Sequence, residues 1–124
     1  MTRWTSEELA EIDAVDELEI RSLRQDGTMS GPRTIWAVRE GNELYVRSVN
    51  GPDAAWYRAT RGRHEGRIRA GAVERDVMFI DADHAVNDRV DAAYRTKYRR
   101  YAANIVDSIV TPQARSTTTT LVSR

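Results

Sequence analysis

From Glu17 to Leu23 apolar and polar residues alternate, with Leu18, Ile20 and Ser22 on one face and Glu19 and Arg21 on the other. That is strand spacing. The pattern returns over Thr34–Arg39 and again over Leu44–Val49, and Gly41-Asn42 between them suits a tight hairpin turn. A second hairpin is predicted over His64–Arg69 and Val73–Ile80, around Ala70-Gly71. The β-branched run Thr117–Val122 suits a last strand.

Helical spacing fills the gaps. Thr5 with Glu8 three residues on forms a capping box, opening a short helix that buries Leu9 and Ile12 and ends near Val15. Asn50-Gly51-Pro52-Asp53 breaks the strand pattern, and Asp53 is the expected N-cap of a short helix carrying Trp56, Tyr57 and Arg58, ended by Gly62. The longest helix is expected from Asp83 to about Tyr101, with Val86, Val90, Ala93, Tyr94, Lys97 and Tyr101 along one side. Ala102–Val110 either continues it or breaks briefly, and Pro112 is expected to stop the helical stretch. The sum is an α+β chain: six antiparallel strands curled into a barrel, three flanking helices, and no β-α-β alternation. One domain over residues 1–124 fits that length.

Composition narrows the function classes. The 19 basic and 19 acidic residues cancel, which argues against a general nucleic-acid binder. There is no cysteine, so disulfides, thiolate metal sites and a cysteine nucleophile are excluded. No apolar run is long enough to span a bilayer, and Glu7-Glu8 stands where a secretory signal would be apolar, so a cytoplasmic protein is expected. Charge is distributed unevenly: carboxylates crowd residues 1–20, and Arg58, Arg61, Arg63, Arg67 and Arg69 crowd residues 56–69. These are either two solvated faces that meet in the fold or a receiver for an anion. His64 and His84 are the only histidines, and no motif marks a metal site, a nucleotide loop or a nucleophile.

Two groups of residues remain as site candidates. Arg47, Ser48, Asn50, Gly51 and Arg58 flank a glycine loop that leads into a helix, an arrangement that can receive a phosphate through backbone N–H groups and guanidinium pairs. Against this, Asp53 sets a negative charge where a phosphate would arrive. The second group is aromatic: Trp36, Trp56, Tyr94 and Tyr98, which either pack the core or wall a pocket.

With these residues in view, the chain resembles a bacterial split-barrel family of unknown function, related to the flavin-binding pyridoxamine-phosphate-oxidase-like proteins and the deazaflavin-dependent nitroreductases. The resemblance is carried by Trp4-Thr5-Ser6-Glu7-Glu8-Leu9, Thr34-Ile35-Trp36, Leu44-Tyr45-Val46-Arg47-Ser48, the Gly51-Pro52-Asp53 loop with Trp56-Tyr57-Arg58, Gly66-Arg67-Ile68-Arg69-Ala70-Gly71, and Asp91-Ala92-Ala93-Tyr94 with Lys97-Tyr98. It implies a six-stranded antiparallel split β-barrel, a homodimer, and pockets at the subunit interface. It also implies FMN or a deazaflavin as cofactor, the phosphate falling to Arg47, Ser48, Asn50 and Arg58. Three functions compete on this footing. One is a small-molecule oxidoreductase using that cofactor, with Trp36, Trp56 and Tyr94 walling the ring. Another is a cofactor-free isomerase or cyclase drawing on Asp53, Glu74 or Tyr94. The last is a non-catalytic small-molecule-binding module.

Overall fold

The structure, a computed structural model, describes residues 4–124. Seven strands form one antiparallel sheet: β1 (Leu18–Ser22), β2 (Arg33–Ile35), β3 (Ala37–Glu40), β4 (Glu43–Val46), β5 (Glu65–Ala70), β6 (Val73–Asp81) and β7 (Thr119–Ser123). Their order is β2-β1-β5-β6-β7-β4-β3. The two ends of that order are halves of one stretch of chain, Arg33–Glu40, broken only at Trp36. Its first half pairs with β1 (Leu18 opposite Ile35) and its second with β4 (Ala37 opposite Val46), so the sheet curls into a nearly closed barrel. The expected six strands become seven because Trp36 leaves the ladder at that corner.

Alternation decides what the barrel buries. Strands β1 and β7 bury every second residue, and Leu18, Ile20, Leu44, Val46, Ile68, Val77, Phe79 and Leu121 fill the interior. Gly66 on β5 is required by this packing: a Cβ there would collide with the Arg21 carbonyl and lie 2.8 Å from two ring carbons of Phe79. Helix α1 (Ser6–Ala14), with the Thr5–Glu8 capping box in place and Val15 as its C-cap, adds Leu9 and Ile12 to the same core. Trp4 joins it and donates its indole N–H to the Leu121 carbonyl at 2.8 Å.

A second core lies outside the barrel. Helix α3 (Asn87–Lys97) packs Val90 and Tyr94, with Tyr98 just beyond it, against Val38 and Tyr45. Val106 and Ile109, from the segment holding α4 (Ala103–Asp107), close this cluster. The helical pattern after Asp83 is therefore divided: a 3-10 turn at His84–Val86, then α3, then α4. Pro112 starts α5 (Pro112–Arg115), where its missing N–H costs nothing, and Thr111 caps that turn.

Helix α2 (Ala55–Arg63) connects β4 to β5 and packs against β1. Its ends differ from expectation. Asp53 sits in a preceding 3-10 turn (Gly51–Asp53), so the N-cap is Ala54, which offers no side-chain acceptor. The helix runs past Gly62 and stops at His64, which takes the left-handed conformation (φ 58°) and bonds the Thr60 and Phe79 carbonyls. The charge asymmetry resolves mostly into ion pairs: Arg61 with Asp81, Arg63 with Glu65, Arg67 with Glu74 and Asp76, and Arg69 with Glu19. No helix among the described residues is long and apolar enough to cross a membrane.

Candidate functional site

Where β4 ends, the chain leaves the sheet over Arg47–Asn50 and opens a cleft of about 360 Å³. One wall is Arg33–Trp36, another is Arg47–Asn50, and Trp56 of α2 faces Ile105, Ser108 and Ile109 from the α4 segment. The volume lies near the lower bound for small-molecule pockets. The lining pairs two indole rings and four aliphatic side chains with hydroxyls, one amide and two arginines. Among the described residues it contains no Asp, Glu, His, Lys or Tyr.

Trp36 is placed by the break in its strand. Its ring stacks on Tyr98 with centroids 3.8 Å apart and planes 4° from parallel, and Tyr101 tilts against it at 5.0 Å. The tyrosines thus lie behind the cleft wall. Tyr98 is fully buried, its hydroxyl donating to the Asp16 carbonyl at 2.6 Å and lying 3.1 Å from the Ala37 carbonyl. Tyr94 is equally buried, its hydroxyl 3.4 Å from the Trp36 carbonyl. Burial raises both phenols above the ordinary range, so neither ionises near neutrality. Both belong to the outer core, in which they position Trp36.

Arg47 borders the cleft, yet its guanidinium faces inward and is 1% exposed. Nε donates to Thr118 Oγ1 at 2.9 Å. Nη1 donates to Asp91 Oδ1 at 2.5 Å and to the Ile109 carbonyl at 3.2 Å, and Nη2 to the Asn87 carbonyl and Oδ1 at 3.0 and 3.2 Å. Every N–H of the side chain is spent within the protein. Arg47 fastens α3 and the 109–118 segment to the barrel, which supports the floor of the cleft.

The other predicted anion residues divide. Ser48 gives its backbone N–H to Thr117 Oγ1 at 2.8 Å, while its own buried Oγ has no hydrogen-bond partner among the described residues. Asn50 reaches the cleft, and its carbonyl accepts from Gln113 Nε2 at 2.6 Å. Gly51 has φ 72°, and the space a Cβ would take is filled by the Gln113 side chain, so its backbone is covered by protein. Arg58 is exposed on α2, outside the cleft lining, with no ion pair among the described residues. The structure therefore gathers Arg47, Ser48, Asn50, Trp36 and Trp56 around one cavity and sets Gly51, Arg58, Tyr94 and Tyr98 apart from it.

Sequence reasoning missed Arg33 and the Ile105–Ile109 wall. The second had a signal, since Ile105, Ser108 and Ile109 fall at helical three- and four-residue steps. Arg33 had none, because a lone base before a strand is common. Its side chain makes no hydrogen bond or ion pair among the described residues. No group of three metal-ligating side chains occurs among them either.

Comparisons with known proteins agree with this architecture. Residues 8–121 match the family described as "Uncharacterized protein conserved in bacteria (DUF2255)". Among solved structures, the conserved hypothetical protein Rv2991 from Mycobacterium tuberculosis superposes with a TM-score of 0.65 at 10% identity, covering 100% of this chain and 82% of that one. An F420 reductase superposes with a TM-score of 0.58 at 12% identity, covering 93% and 90%. At such identities the likeness is one of fold. No curated protein matches the chain. The family match spans nearly the whole sequence, and the chain belongs to the DUF2255 family.

Proposed function

We propose that this DUF2255 protein is a small-molecule oxidoreductase that holds the ring of a flavin or deazaflavin in the Trp36–Trp56 cleft. One observation carries the reading: the cleft is lined by two indoles and four aliphatic side chains and, among the described residues, by no Asp, Glu, His, Lys or Tyr that could exchange a proton. Chemistry in such a cavity has to arrive with the ligand. The fold it shares with an F420 reductase supports the same reading.

The fit is partial. A planar ring suits two indoles and the aliphatic wall of Val49, Ile105 and Ile109. A phosphate at Arg47 does not fit, since its donors are committed, and Gly51 is covered by Gln113. When bound, the ring would supply hydride or electron transfer. The chain's own part is to stack and orient it and to exclude water with the aliphatic wall.

A cofactor-free isomerase or cyclase is disfavoured, because Asp53, Glu74 and Tyr94 do not line this cleft. A non-catalytic binder is the second reading, favoured by the absence of a phosphate seat at Arg47. Either way the protein is proposed to work as a homodimer in the cytoplasm. Val49 and Ile105, 49% and 45% exposed on the cleft lining, are apolar surfaces that a second copy would cover. Sedimentation of a monomer at micromolar concentration would remove the dimer.

Titration of the purified protein with FMN and with a deazaflavin cofactor, followed by tryptophan quenching and ring absorbance, tests the function. Saturable binding of either, weakened in Trp36→Leu, is expected. Absence of binding by both would leave the binder reading and end the oxidoreductase one.

A further inference from the structure

A second cleft, of about 460 Å³, adjoins the first. It lies between β1, the Ser30–Pro32 loop and α2, and the two cavities share two lining residues, Arg33 and Trp56. Arg24 lines the second cleft as well. It uses Nη1 on Thr28 Oγ1 and the Met29 carbonyl, at 3.2 and 3.0 Å, and pairs with no carboxylate among the described residues.

In a chain whose charges cancel, this is a conspicuous imbalance. Neither cleft is lined by a single Asp or Glu among the described residues. Most other arginines around the barrel have a carboxylate partner, and Arg47 has Asp91. Arg33 and Arg24 both line the second cleft and neither is directly paired with a carboxylate among the described residues, Asp26 reaching Arg24 only through Thr28 Oγ1, to which both bond. Two such cations match a phosphate monoester, which is nearly dianionic at neutral pH, better than a singly charged carboxylate.

We propose that the two clefts form one bipartite site for a ring-bearing phosphate monoester. The ring lies between Trp36 and Trp56, and the phosphate passes the Trp56 edge to Arg33 and Arg24. This rests on the reading that the first cleft holds a ring. It moves the anion seat away from Arg47, whose geometry closes it.

FMN and riboflavin differ only by the phosphate and separate the two claims. Calorimetric titration of the intact protein at fixed low ionic strength should show FMN binding on the order of tenfold or more tighter than riboflavin. The preference should shrink with added salt and vanish in Arg24→Ala/Arg33→Ala, where FMN affinity falls to that of riboflavin for the same variant, and Arg58→Ala should keep the preference. Far-ultraviolet dichroism confirms that each variant is folded; Arg33→Gln and Arg24→Gln serve if the alanine variant is not. Equal affinity for FMN and riboflavin, or a preference that survives the double substitution, overturns the phosphate seat while leaving the ring site intact. Failure of both ligands to bind overturns the ring site and the phosphate seat together.

Discussion

Replacing Arg47 with methionine distinguishes a buried clamp from a ligand-binding arginine. The change keeps most of the side-chain volume and removes all the donors. It takes a donor from the Asn87 and Ile109 carbonyls and from Thr118 Oγ1, and leaves Asp91 without its nearer guanidinium. Breaking a buried ion pair by removing one member costs about 3–5 kcal/mol. Asp91 retains 23% side-chain exposure and a second, longer contact to Arg115 at 3.5 Å, which places the expected loss near the lower end, about 3 kcal/mol. That is a large share of the roughly 5–15 kcal/mol that holds a domain folded. Urea denaturation at pH 7, followed by tryptophan fluorescence and by far-ultraviolet dichroism, measures it. Arg47→Lys should recover little, because an ammonium cannot reach acceptors arranged for a planar fork. Removing the stranded charge as well, in Arg47→Met/Asp91→Leu, should be less destabilising than the two single losses added together. A loss below about 1 kcal/mol for Arg47→Met, the level of an exposed pair, would refute the clamp.

Other outcomes rest on the same packing. Gly66→Ala should fail to fold or lose at least about 1–3 kcal/mol in denaturation, because the added carbon meets backbone and a ring that cannot both move; an unchanged midpoint would contradict the barrel's closest approach. Lys97 is largely withdrawn from water, its ammonium bonded to the Ala37 and Ile12 carbonyls, and burial lowers its pKa from 10.5 to about 8 despite Asp13 and Asp16 nearby. Between those values the unfolded chain binds the extra proton, so stability should climb from pH 8 towards 10 and stay level just below 8 on this account. Urea midpoints across that range should show the rise, and Lys97→Met should abolish it. Tyr98→Leu removes the plate behind Trp36 and should weaken ring binding in the cleft as well as stability, whereas Tyr98→Phe should retain most of the binding.

The strands were legible because a half-buried sheet writes its two faces into alternate residues, as β1 and β7 show. The first helix was legible from Thr5 and Glu8, whose spacing is itself the capping geometry. Less local features were not. Trp36 reads as an ordinary strand residue, and only the simultaneous pairing of its two flanks with β1 and β4 makes it a corner. Pro112 reads as a stop, but after Thr111 it is a start. For the site, the aromatic cleft was half visible through Trp36 and Trp56. The role of Arg47 was not, because a sequence shows a guanidinium's charge and hides how many acceptors the fold has already given it. Arg33 was overlooked for the opposite reason: nothing in the chain nearby reveals that it has no partner among the described residues.

The corner at Trp36 also limits how copies of this protein can join. Open sheets can lengthen by docking strand against strand between molecules, which is a route to aggregates. Here the terminal strands are stubs of three and four residues belonging to a single bent segment, each already bonded along one side. Little free ladder remains to recruit a neighbouring strand, which leaves side-chain surfaces such as Val49 and Ile105 as the route open to the homodimer proposed above.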